Sequence, residues 1–335
     1  MKTFHCHCGN RIFFDNTVCA CCGRALGFDP HRLEMVASAA EGSGHFESAT
    51  GSYYRRCANF ERYENCNWLL PQQDEHDLCL SCRMNQVIPA LERPGNLELW
   101  SRMEAAKRRL LYSLMFLRLP VTGPHAFKFR FLEDHRRNPD VFETFVTTGH
   151  ADSTITINVA EADDVARHAV REQMHERYRT VLGHLRHESG HFYFKWLTAE
   201  PGLLRECRAL FGDERDDYQS ALERHYSDGP PAGWNECFIS AYASAHPAED
   251  FAETFAHFLH ITDALESARS DGLTPGPGDG ADWIDSWISL AISLNEVNRS
   301  LGLDDAYPFL VSSLVKKKLE FIDRLVRQRA EPAAD

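Results

Sequence analysis

Three things are scarce in this chain of 335 residues: long apolar runs, blocks of like charge, and cysteines beyond its first quarter. The most apolar stretch, LLYSLMFLRLPV at 110–121, carries Arg118 and falls short of the roughly 20 residues that a membrane-spanning helix needs. The first residues, MKTFHCHCGNRIFF, have no apolar leader core and meet a cysteine at position 6. Export is therefore not expected, and the expected compartment is the cytoplasm. Lys and Arg total 36 against 49 Asp and Glu, a formal net charge of −13. A deficit of positive charge with no basic stripe argues against a general grip on nucleic acid or on an anionic membrane.

What remains is the balance of a globular protein, 43% hydrophobic and 25% charged residues, with a length that suits one catalytic domain and a small appendage. Nine of the eleven cysteines lie before residue 83, leaving Cys207 and Cys237 as ordinary thiols. In a reducing compartment such a cluster reads as metal ligands and not as a disulfide framework.

The chain divides by composition. A Cys-rich module spans 1–28, a polar and small-residue linker is expected over 29–52, a second Cys segment runs over 53–90, and a large domain fills 91–335. Within that domain, residues 100–117 have the formers and apolar stripe of a helix, and two strands are expected at 127–133 and 153–160. In the second strand Ile155 and Ile157 share a face. After Glu161 the pattern is helical, broken at 201–202, 229–234 and 272–281. A few strands followed by a run of helices predicts an α+β domain.

The strongest chemical signal is His187-Glu188-Ser189-Gly190-His191, an HExxH string. On a helix, positions four apart share a face, so both imidazoles can reach one cation, and Glu188 can take a proton from the attacking water. Tyr178, Val181, Leu182, Leu185, Phe192 and Trp196 recur at helical spacing and are expected to bury the other side. A catalytic zinc needs a third protein ligand and one open position. The segment 240–260 offers it. Pro247 suits a helix start, and Phe251, Phe255, Phe258 and Leu259 form an apolar stripe. Glu249 and Glu253 stand four apart away from that stripe, an arrangement that repels unless positive charge lies near. The natural division makes Glu249 the third ligand and Glu253 the group that orients His187, although the reverse assignment satisfies the same spacing.

Cys6-x-Cys8 and Cys19-x-x-Cys22 are each followed by glycine, Gly9 and Gly23, which permits the tight turn of a zinc ribbon. Cys21 is then spare. Cys57, Cys66, Cys79 and Cys82 form a less regular quartet with one diagnostic C-x-x-C end, a second candidate zinc site. Modules this small depend on the metal to fold. The expected job of the ribbon is structural, or docking of a protein partner.

Two resemblances follow. HExxH with a downstream E-x-x-x-E helix is similar to the gluzincin zinc peptidases, and EDFAETF at 249–255 matches the E-x-F-A-E-x-F string of their lethal-factor-type branch. That resemblance implies a zincin-like catalytic domain, and it implies that Tyr242, seven residues before Glu249, donates a hydrogen bond to the oxyanion. A merely structural tyrosine fits the same position. More of the chain resembles the bacterial zinc-binding metallopeptidases that carry an N-terminal zinc ribbon. The matching strings include CHCGNRIFFDNTVCACCGRALGFDP, CLSCRMNQVIP, AKRRLLYSLMFLRLP, EADD, YRTVLGHLRHESGHFYF and SAYASAHPAEDFAETFAHFLHITDALESA, from residue 6 to about 269. The expected activity is hydrolysis of peptide or protein substrates by a catalytic zinc, with one or two structural zincs besides. A rival from another class is a zinc-ribbon adaptor whose HExxH domain is a retained scaffold; an intact Glu188 favours the enzyme.

Overall fold

The computed structural model describes residues 1–41, 44–48, 50–123, 126–135, 138–141, 149–151, 153–173, 179–274 and 282–330. It divides into two compact units. The first comprises Met1–Phe116, Val121–Gly149 and Thr154–Arg167; the second comprises Leu117–Pro120, His150–Ser153 and His168–Asp335. The architecture is α+β, and no described helix is long and apolar enough to cross a membrane.

In the first unit the N-terminal strands are too short to enclose a core alone. Phe14, Phe28 and Trp68 therefore gather around a residue far along the chain. Phe28 lies 4.7 Å from Phe14 and 5.4 Å from Trp68 by ring centroids, and Tyr112 packs 5.5 Å from Phe14. Tyr112 belongs to the helix Asn96–Phe116, so the ribbon shares its core with a helix that composition assigned to the 91–335 domain. The expected linker at 29–52 is also corrected. Leu26–Asp29 pairs antiparallel with Glu34–Ala37, and Phe46–Glu47 pairs with Tyr53–Arg56. Val36, Phe46, Tyr54 and Leu69 bury together there, and the Tyr54 hydroxyl donates to buried Asp29 at 2.7 Å.

Lys128–Leu132 lies parallel to both Thr154–Asn158 and Asn85–Val87. Phe129, Phe131, Ile155 and Ile157 are fully buried, as strand alternation requires. The helix Asn96–Phe116 covers this sheet with more than its apolar stripe. Lys107 is completely buried, donates to Asn85 at 2.6 Å and Glu104 at 2.9 Å, and sits 5.4 Å and 5.6 Å from the rings of Phe129 and Phe131.

The second unit contains the helices Val181–Leu197, Pro201–Phe211, Tyr218–Asp228, Pro247–Ser270, Trp283–Ser300 and Ser313–Arg329, with breaks near the expected places. Residues 275–281 of the third break lie outside the described residues. On the helix Val181–Leu197, Val181 and Leu185 are buried as expected, but Ser189, Tyr193 and Leu197 are buried as well, while Leu182, Phe192 and Trp196 are only partly covered. Tyr178, expected on the same stripe, lies outside the described residues. Tyr193 wins its place because its hydroxyl reaches the Pro120 carbonyl at 2.8 Å while its ring packs on Phe255.

One buried ion pair joins the last helix to Pro247–Ser270. Lys318 Nζ lies 2.5 Å from Asp250, with side-chain exposures of 2% and 0%, and also donates to the Cys237 carbonyl at 2.8 Å. Burial pushes the Asp250 carboxyl up to about 7 against the opposing pull of Lys318. Removing the cation leaves a carboxylate stranded in apolar surroundings, so Lys318→Met is expected to cost about 3–5 kcal/mol in urea unfolding. A loss within about 1 kcal/mol, the size of an exposed pair, contradicts this account.

Candidate metal centres

The four N-terminal thiols are drawn together by two turns. Gly9 and Gly23 adopt φ of +85° and +68°, and their N–H groups close onto the carbonyls of Cys6 and Cys19 at 2.9 Å and 3.0 Å. Such φ values favour glycine because a Cβ is strained there. Cys6 Sγ lies 3.6 Å from Cys22 Sγ, and Cys8 Sγ lies 3.8 Å from Cys19 Sγ. Four sulfurs around one zinc at about 2.3 Å stand about 3.8 Å apart by tetrahedral geometry. The fit is direct. Backbone N–H groups of Cys22 and Cys21 hold the Cys19 thiol down at about 6, which favours the thiolate that a metal needs. Cys21 itself is exposed and outside the cluster.

Cys57, Cys66, Cys79 and Cys82 also converge, and all four are buried. Cys66 Sγ is 3.6 Å from Cys79 Sγ and 3.7 Å from Cys82 Sγ, and the Cys79 N–H donates to Cys57 Sγ at 3.3 Å. Four thiolates on one dication leave a net double negative charge. A compensating cation lies near: Arg108 is buried and bonded to the Asn65 carbonyl at 2.8 Å. Desolvation works against its charge, but Cys66, Glu104, Cys82 and Cys79 together raise its pKa.

The third cluster arises where two helices of the second unit touch. Thr180 caps the first by accepting from the Gly183 N–H at 2.9 Å, and His246 caps the second by accepting from the Ala248 N–H at 3.1 Å. They come close together at Gly190. A Cβ built there meets Ala252 Cα at 2.9 Å and the Ala252 carbonyl oxygen at 3.0 Å. The absent side chain brings the two backbones together one turn from the chemistry.

At that crossing His187 Nε2 and His191 Nε2 stand 3.1 Å apart. Glu249 Oε2 is 3.0 Å from His187 Nε2, and Glu249 Oε1 is 3.4 Å from His191 Nε2. Nitrogen and oxygen ligands at about 2.0–2.2 Å from a tetrahedral zinc lie about 3.3–3.5 Å from one another, close to these separations. Glu253 approaches from the other side of His187. Its Oε1 is 2.7 Å from His187 Nδ1, and its Oε2 accepts from Ser240 at 2.6 Å. With Nδ1–H donating to Glu253, the Nε2 lone pair faces His191 and Glu249. Burial opposes ionisation of Glu253, yet His187, His257 and Ser240 hold its carboxyl at about 2.

The donor set calls for a cation. Glu188 Oε2 is buried and accepts no hydrogen bond, and the buried Glu249 Oε2 faces only the Nε2 of His187, at 3.0 Å. Burial opposes a charge on His187, but Glu249 and Glu253 pull its pKa well above the ordinary histidine value. A dication among these groups satisfies all of them at once. Glu188 is 7% exposed, and burial raises its carboxyl despite the opposing influence of His187 and His191. Tyr242 places its ring 6.0 Å from that of His187 and 5.9 Å from that of His225. Burial first, and then Glu249, keep its hydroxyl protonated far beyond the ordinary tyrosine range.

Several residues of this site escaped sequence reasoning. Tyr218 donates to Glu249 Oε1 at 2.7 Å, Ser240 holds Glu253, and Gly190 sets the crossing. Gly190 was visible only as a variable position of HExxH. The signal for Tyr218 was slight, an aromatic directly after the helix-capping Asp217.

Fold and site together define a two-module zinc protein. Residues 96–325 match the family described as "Putative zinc-binding metallo-peptidase", and residues 3–93 match a zinc-ribbon domain. The chain belongs to that zinc-binding metallopeptidase family. It is 42% identical to an uncharacterized protein of Mycobacterium bovis and equally to two from Mycobacterium tuberculosis strains, over 99% of this chain and 98% of each relative. No solved structure matches it.

The crossing makes a prediction. Gly190→Ala forces the helices apart, with an overpacking cost of about 1–3 kcal/mol and a weaker hold on zinc at the His187–His191–Glu249 cluster. Thermal melts together with zinc titration test this. Unchanged stability and unchanged affinity contradict the close-approach account.

Proposed function

We propose that this protein is a zinc peptidase of zincin-like, gluzincin type, acting on peptide or protein substrates. His187, His191 and Glu249 are the ligands of its catalytic zinc, Glu253 orients His187, and Glu188 is the general base. The observation that carries this reading is the convergence of three ligand atoms beside a buried carboxylate, Glu188, whose Oε2 has no partner. Bound there, zinc supplies Lewis acidity toward the scissile carbonyl and lowers the pKa of water.

The remaining roles belong to the chain's own groups. Glu188, its carboxyl raised above the ordinary range by burial, accepts the proton of the attacking water and passes it to the departing amine. A carboxylate this dry is a stronger base than one in water. Tyr242, kept protonated, donates its hydroxyl to the developing oxyanion. The Glu253 carboxylate keeps the imidazole of His187 in one tautomer throughout.

The two cysteine quartets each hold a structural zinc on this reading, so three zincs accompany each chain. Thiols kept as metal ligands suit a reducing compartment, the cytoplasm. The ribbon serves the fold and offers a place for a protein partner. A retained, inactive scaffold has no use for a carboxylate buried unpartnered beside two histidines, which sets the adaptor reading behind the peptidase.

Two experiments test this. Wild type and Glu188→Gln, matched for zinc content, are incubated with a proteome-derived peptide library, and new termini are read by mass spectrometry. Wild type is expected to cleave, and the variant to lose about 10²–10⁴ of the rate, the usual worth of a general base. Absence of cleavage by the zinc-loaded wild type, or equal cleavage by both, overturns the peptidase reading. Separately, Cys79→Ala is expected to lose one zinc by native mass spectrometry and to unfold the first unit at lower denaturant. Retention of the full zinc count removes the second quartet from the metal sites.

A further inference from the structure

The zinc-peptidase reading assigns one tyrosine to the site, but two reach it. Tyr218 and Tyr242 do different things there. Tyr218 donates its hydroxyl to Glu249 Oε1 at 2.7 Å, whereas the other carboxylate oxygen, Oε2, faces only the Nε2 of His187, at 3.0 Å. Glu249 is 1% exposed, so water is a poor substitute for this phenol.

A helix cap and a ring contact hold Tyr218 in place. It opens the helix Tyr218–Asp228, whose preceding Asp217 caps it by accepting from the Ser220 N–H at 2.8 Å. Its ring meets the edge of His246 with centroids 5.1 Å apart and planes at 77°. His246 in turn joins both helix starts. Its Nδ1 accepts from the Ala248 N–H at 3.1 Å, which leaves Nε2–H to donate to the Asp216 carbonyl at 3.1 Å. The start of one helix is thus fastened to the start of the other, and the phenol lands on a carboxylate one turn along.

We propose that Tyr218 is a positioning residue that holds Glu249 as a one-oxygen ligand. This rests on the reading of Glu249 as the third zinc ligand. A carboxylate with both oxygens free can swing or bind through both. Oε2, 3.0 Å from His187 Nε2, is the oxygen left without a phenol and so set toward the metal, while Oε1, although 3.4 Å from His191 Nε2, is drawn to Tyr218 before the metal arrives. One-oxygen ligation also leaves room around the ion for water and the substrate carbonyl. The hydrogen bond withdraws charge from the carboxylate, so the metal keeps more of its Lewis acidity. Tyr242, with its ring between His187 and His225, is left to face the substrate.

The test is a zinc-affinity cycle on the full chain with both cysteine quartets loaded. Wild type, Tyr218→Phe, Tyr242→Phe, Glu249→Gln and the Tyr218→Phe/Glu249→Gln double variant are titrated with zinc against a chromogenic chelator. Tyr218→Phe is expected to weaken the third zinc about 10–100-fold, as loss of a group that orients a ligand does. Tyr242→Phe, which keeps the Tyr218–Glu249 hydrogen bond, is expected to weaken it less than Tyr218→Phe does, and an equal or larger loss in Tyr242→Phe overturns the assignment to Tyr218. In the Glu249→Gln background the Tyr218 effect should vanish, because the charged partner has gone. An unchanged affinity in Tyr218→Phe, or an equal loss in both backgrounds, overturns the proposal; the second result marks a general structural effect. If wild type binds no third zinc, this inference and the peptidase reading fall together. If the cycle holds but no peptide is cleaved, the peptidase reading falls and the role of Tyr218 stands.

Discussion

The second unit is organised by one close approach, that of the backbone at Gly190 to the backbone at Ala252. Two helices without side-chain bulk between them present His187 and His191 from one side and Glu249 and Glu253 from the other. The electrostatics follow from that distance. Two carboxylates and two imidazoles in a dry crossing are stable only when the protons and the cation are shared out in a definite way. Glu253 accepts a hydrogen bond from His187 Nδ1–H, Tyr218 donates to one oxygen of Glu249, and the atoms left over point at one another. Farther from the crossing, Asp250 turns away and finds Lys318, so each acidic residue on that helix start has its own counter-group.

The first unit solves a different problem. Its strands before Asn96 are two to four residues long and cannot exclude water unaided. Two devices substitute for a large core: sulfur clusters at metal-binding spacing, and a shared aromatic knot in which Tyr112 closes over Phe14 and Phe28. Charge is managed by burying Arg108 and Lys107 on the same helix, one beside the second cysteine quartet and the other between phenylalanines.

How much of this could be read in the amino acids depends on the range of the interaction. Spacing exposed what is local: His187 and His191 one turn apart, Glu249 and Glu253 likewise, the C-x-x-C ends, and the apolar stripe of Phe251, Phe255, Phe258 and Leu259, all of which are buried. Helix and strand positions were legible for the same reason. The partnerships between segments were not. Nothing in the string around Tyr218 reveals a carboxylate 31 positions away, and nothing around Lys318 reveals Asp250. The strands within 29–52 were hidden because they are short and flank a run of small polar residues, so composition outweighed pattern. The buried face of the HExxH helix was misread at Phe192 and Trp196. Hydrophobicity alone ranks those two ahead of Ser189, although a tight crossing needs small residues at its centre.

The aromatic knot has a bearing on how the protein is made. Both cysteine quartets leave the ribosome complete once residue 82 has emerged, but Tyr112 follows 30 residues later. During that interval the face formed by Phe14, Phe28 and Trp68 has no lid from the helix Asn96–Phe116. On the metal-site reading of the quartets, metal capture by the nascent thiols then helps to hold the emerging segment in shape. Without it, this apolar face would stay open to chaperones and proteases until the helix Asn96–Phe116 has been translated.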